Sequence, residues 1–130
     1  MHITGSVASN LQATASGGAN SLLALNSASS AMATSVKASA GMVYGYTVCN
    51  ANTSAVYFRL FNLATAPTVG TSTPLLVDIV PASNCVHFVH ELGLAYGSGI
   101  AFDVTSGSLS NGDTITIATV NSVSVSIFTE

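Results

Sequence analysis

VKASAGMVYGYTVCNANTSAVYFRLFNLATAPTVGTSTPLLVDIVP, residues 36–81, is the stretch on which the reading of this chain turns. Apolar side chains recur at every second position in short runs, and small or turn-forming residues separate the runs, which is the pattern of successive half-buried β-strands. Tyr44, Tyr46 and Val48 fall on one face of the first strand, and Val43, Gly45, Thr47 and Cys49 on the other. After a turn at 51–54, Val56, Phe58 and Leu60 alternate with Tyr57, Arg59 and Phe61. Bulk on both faces assigns one to the core and the other to a neighbouring subunit. Pro67, Gly70 and Pro74 make residues 64–74 a loop, because proline cannot donate to a ladder and glycine permits unusual dihedrals. Leu75, Val77 and Ile79 then alternate with Leu76, Asp78 and Val80, and Pro81 ends the strand.

The same period continues downstream. Residues 84–90 form another strand, and beyond the glycines at 93, 97 and 99, Ile100, Phe102 and Val104 point inward while Ala101, Asp103 and Thr105 point out. Asn111-Gly112 marks a tight turn, since both residues tolerate positive φ. Ile115 and Ile117, then Val123, Val125 and Ile127, complete the inward sets. About seven or eight short strands at this spacing predict an all-β fold, an antiparallel β-sandwich or jelly-roll-like domain over residues 36–130.

Upstream, residues 1–35 are mostly Ser, Ala, Asn, Gly and Thr, with Leu11, Leu22, Leu23 and Leu25 too sparse to sustain a period. Such a segment cannot offset its ordering entropy alone. Two readings stand: a disordered leader, or an extended N-terminal arm that orders along a neighbouring subunit. The Ala and Leu content also permits a short helix over residues 21–33.

Composition narrows the function. Charged residues make up 5% of the chain, against about 25% in an ordinary domain. A free monomer keeps charge for solubility, so the deficit predicts an obligate homo-oligomer. One lysine and one arginine give no basic patch for phosphates, which disfavours a nucleic-acid partner. The opening MHITGSV lacks the basic start and apolar core of a secretory signal, and no apolar run is long enough to span a bilayer, so no membrane role is expected. Cys49 and Cys85 leave two states open, free buried thiols or a disulfide.

No catalytic constellation emerges. In His87-Phe88-Val89-His90-Glu91 the histidines are three apart, which on a strand sends them to opposite faces, whereas a zinc helix needs them four apart on one face. Glycines precede no phosphate-binding helix, and no serine sits in a nucleophile elbow. Asp78 and Asp103 occupy outward positions suited to solvated carboxylates, and the aromatics are accounted for by core packing. No catalytic, cofactor-binding or metal-binding residue is assigned. The candidate interface residues are Lys37, Tyr57, Arg59, Phe61, His87, His90 and Glu91. Lys37 and Arg59, the only basic side chains, have a definite use as a salt bridge across a neutral subunit interface, with Asp78, Asp103 or Glu91 as partner.

The VYGY strand at 43–46, the FNLATAPTVGTSTP loop at 61–74 and YGSGIAFDVTSGS at 96–108 together resemble a family of small β-sandwich structural proteins of tailed bacteriophages. The resemblance covers residues 36–130. It implies a capsid cement or decoration protein on the capsid exterior of the virion, made in the host bacterial cytoplasm, typically a trimer, with the major capsid protein as partner and no catalytic residues. The alternative is a tail or fibre tip module that binds a host-surface carbohydrate. Cys49, Cys85 and the 87–91 run depart from the pattern.

Overall fold

The computed structural model describes residues 21–26, 32–106 and 122–130. They form eight strands: β1 (Ser21–Asn26), β2 (Thr34–Lys37), β3 (Gly41–Asn50), β4 (Val56–Phe61), β5 (Leu76–Val80), β6 (Asn84–Tyr96), β7 (Ile100–Thr105) and β8 (Val123–Thr129). Two four-stranded antiparallel sheets result, ordered β1-β8-β3-β6 and β2-β7-β4-β5. This is the all-β sandwich that the alternation predicts. The expected turn at 110–113 and the strand at Ile115 and Ile117 lie outside the described residues.

The segment read as an arm contributes to both sheets. β1 pairs along its whole length with β8, and β2 pairs with β7, each as a rim strand. The helix expected over 21–33 is therefore corrected at residues 21–26, which are extended. Leu23 and Leu25 explain the outcome, because their spacing of two lets both pack against the core from one strand face.

Val43, Tyr46 and Val48 of β3, Val56, Phe58 and Leu60 of β4, Ile100, Phe102 and Val104 of β7, and Val123, Val125 and Ile127 of β8 fill the space between the sheets. Tyr46 sits centrally in this core, its ring 4.7 Å from Phe58 and 5.2 Å from Phe88 between centroids.

β3 departs from simple alternation. Its register slips between Val43 and Gly45 against both neighbours: against β8 it takes up one extra residue, so that Val43 and Tyr46 share the inner face, whereas against β6 the extra residues lie in β6, between Val89 and Leu94. A β-bulge does this by turning one residue out of phase. Gly45 makes it possible, because a Cβ there would lie 2.5 Å from the carbonyl oxygen of Phe88.

Candidate functional site

The central strands of the second sheet are buried on both faces. All six residues of β7 are buried, and on β4 Arg59 and Phe61 are shut from solvent on the face turned away from the core. Arg59 stands directly opposite Asp103 in the ladder. Its Nε and Nη2 donate to the two carboxylate oxygens of Asp103, each at 2.7 Å. Both side chains are 0% exposed, and the guanidinium carbon lies 5.6 Å from the Phe61 ring centroid. Two-point contact between planar groups is the geometry that best offsets the desolvation of a buried ion pair.

Three expectations change here. The predicted arginine bridge does form, but within one chain. As folded, Arg59 and Phe61 offer no surface to a neighbouring subunit. Asp103 is on the outward face as expected yet is wholly buried, so it is not a solvated carboxylate. Asp78 instead turns inward: it pairs in register with Phe58, and its carboxylate accepts a 2.8 Å hydrogen bond from the Tyr46 hydroxyl. Burial holds the Tyr46 phenol well above its ordinary pKa, and the Asp78 hydrogen bond and charge push it the same way. Burial alone raises Tyr96.

The other candidates are scattered. Lys37 is half-buried on β2 and in no ion pair among the described residues. Tyr57 is half-buried on the outer face of β4, opposite Ile79 and Thr105. His87 is exposed on β6, its Nδ1 2.9 Å from the Thr47 hydroxyl across the ladder. His90 is half-buried, with its ring 6.2 Å from Phe88 and its Nδ1 without a hydrogen-bond partner, and Glu91 is exposed. Among the described residues, no three His, Cys, Asp or Glu side chains come together to hold a metal.

Cys49 and Cys85 face each other across β3 and β6 and are joined as a disulfide, with Cα atoms 4.0 Å apart. Beside them lies an open groove of about 590 Å³ lined by Asn50, Ser83, Asn84, Ser122 and Ser124. The Asn50 amide is fully engaged within the chain: its Nδ2 donates to the Ser54, Val80 and Pro81 carbonyls, and its Oδ1 accepts from the Asn52 backbone and side chain. It organises the turns around the groove rather than presenting free valence to a ligand.

Sequence reasoning missed the side of the sandwich where rim strands β5 and β6 meet. On and beside these two strands Leu75 is 64%, Val89 79% and Leu92 81% exposed, and Ile79 of β5 is exposed as well, with Ile79 and Val89 pointing outward from the two different sheets. A second cavity of about 300 Å³ opens between the two rims, lined by Leu75, Leu76, Leu94, Ala95 and Tyr96. The signal was present in the consecutive apolar residues Leu75 and Leu76, which cannot both face inward from one strand. Architecture and surface together describe a disulfide-latched β-sandwich with an apolar rim and no assembled reaction centre among the described residues. Comparison with family models, with curated proteins and with solved structures finds no match.

Proposed function

We propose that this protein is a non-enzymatic structural module: a cement or decoration protein of a tailed-phage virion that binds the major capsid shell from outside as a homo-oligomer and stabilises it. The observation that carries the reading is the exposed apolar rim of Leu75, Ile79, Val89 and Leu92 in a chain with seven formally charged side chains. Large apolar side chains left exposed along rim strands, on a surface this poor in charge, favour contact with other protein. The resemblance of residues 36–130 to phage β-sandwich proteins supplies the partner. Several modest contacts made at once by an oligomer gain from effective concentration, so none need be strong.

Co-sedimentation with empty capsids tests this. The full chain should load onto expanded shells and raise their thermal disruption temperature; failure to load would contradict the proposal. Removal of residues 1–20 leaves every described strand in place. If the leading segment grips the shell, that truncation should lose loading.

The groove beside the disulfide favours one other reading, the carbohydrate-binding tip, since asparagine and serine side chains suit sugar hydroxyls. Among the described residues that line it there is no aromatic platform. A glycan array with the purified chain would support the tip reading by a saturable hit that Asn84→Ala abolishes.

A further inference from the structure

β6 is thirteen residues long and forms one rim of its sheet, with β3 as its sole ladder partner among the described residues. A rim strand presents a row of backbone N–H and C=O groups to any strand that can approach. The 4.0 Å Cα separation of Cys49 and Cys85 is the close spacing of a non-hydrogen-bonded antiparallel pair. In such a pair the peptide groups of Cys85 point away from β3, and with a period of two so do those of His87 and Val89. The side chains of these three residues are exposed on the outer sheet face.

The rims of the other sheet are guarded against pairing. β2 has four residues, is bulged between Ser35 and Lys37 and carries that lysine. β5 has five, is closed by Pro81 and turns the Asp78 carboxylate inward. Short strands, bulges, lysine, proline and inward charge are the usual means of blunting an edge. β6 has no lysine, arginine or proline, Glu91 is its one formally charged residue, and its own irregularity, between Val89 and Leu94 against β3 and including Gly93 at φ +80°, leaves residues 84–89 in unbroken register. β1, the opposite rim of its own sheet, is less than half as long.

We infer that β6 is the docking edge for a second copy of this chain. Two β6 strands run antiparallel about a two-fold axis at Val89 and join two four-stranded sheets into one of eight. The charges select this register. With Val89 opposite its own counterpart, Glu91 stands opposite the partner's His87, and the same pairing is made twice. The Thr47 hydroxyl lies 2.9 Å from His87 Nδ1; donating there, it leaves the Nε2–H free to donate to the partner's Glu91. An axis at His87 would set two imidazoles opposite each other and leave both carboxylates without a counterpart.

This contact is isologous, so it closes as a dimer rather than growing into a fibre. It stands on the edge itself, and capsid binding can fail with the dimer intact. A trimer would need a different surface, because identical edges pair in twos.

Light scattering on the full, oxidised chain, followed over a concentration series, tests the inference. The wild type should reach twice the 13.0 kDa chain mass. Val89→Lys sets two ammonium groups face to face at the axis and should give the single-chain mass, with circular dichroism unchanged because Val89 is 79% exposed. Glu91→Lys should raise the dissociation constant about tenfold or more. The exchanged pair His87→Glu with Glu91→His should retain dimerisation where Glu91→Lys weakens it, whereas a nonspecific apolar contact would be indifferent to both changes. A monomer at every concentration, a trimer, or a dimer that Val89→Lys leaves unmoved would overturn it.

Discussion

Arg59 and Asp103 hold opposite charges out of water on the face of a sheet that the core does not reach. Each charge is tolerable only because the other is there, so removing one partner exposes the full desolvation penalty of the one left behind. Asp103→Ala should lower unfolding free energy by about 3–5 kcal/mol in urea titrations, whereas an apolar double replacement of both residues should recover most of that loss. The tyrosines govern the alkaline limit. Tyr46 and Tyr96 hold their protons above the ordinary phenol range of about 10. Their folded pKa values exceed the unfolded ones, so their contribution to stability is constant below about pH 10 and is lost above it, as the unfolded chain sheds protons that the folded chain keeps. Each tyrosine contributes at most about 1.4 kcal/mol per pH unit to that decline. Tyr46→Phe should flatten the fall in melting temperature between neutral and strongly alkaline pH. Arg59 was recognisable in the sequence as a paired cation with Asp103 among its candidates. Its location was not, since alternation tells which residues share a face and not whether more of the same chain covers that face.

Strand existence was readable nearly throughout, because period-two alternation in β4, β7 and β8 follows directly from a sandwich with one inner face per sheet. Phase was harder. The bulge at Tyr44 and Gly45 reverses which residues of β3 face inward, and no alternation pattern announces an inserted residue. Gly45→Ala should cost about 1–3 kcal/mol in thermal or chemical unfolding, because its Cβ would meet backbone at Phe88 rather than a side chain that can move. Gly93 has φ +80° in the same region of β6, where the ladder to β3 is interrupted, and it lies against the Tyr44 ring. The disulfide fastens β6 to β3 across 36 residues of chain, and its removal as Cys49→Ala with Cys85→Ala should cost about 3–4 kcal/mol from loop entropy. Hydrogen exchange should show that loss as faster exchange in β6 specifically, since β3 is the strand that holds it in the sheet. Equal acceleration in β4 and β7 would mean that the latch acts on the whole sandwich.

For the molecule as a whole, the charge deficit and the apolar rim are one fact at two levels: few charged residues were available to cover the surface, and leucine, isoleucine and valine are left exposed on and beside rim strands β5 and β6. Composition told of a surface short of charge but could not say where apolar side chains would be left exposed, because exposure depends on which strands become rims. The candidate interface residues divide accordingly. Arg59 and Phe61 went into the interior, Lys37 and Tyr57 are half-buried on the other sheet, and His87, His90 and Glu91 share β6 with the exposed valine and leucine. The structural role proposed here is most directly tested by the copy number of this chain in purified virions, measured by quantitative mass spectrometry against the major capsid protein. A shell cement protein predicts hundreds of copies per particle, in fixed ratio to the capsid lattice. A handful to a few tens of copies, or none, would contradict it.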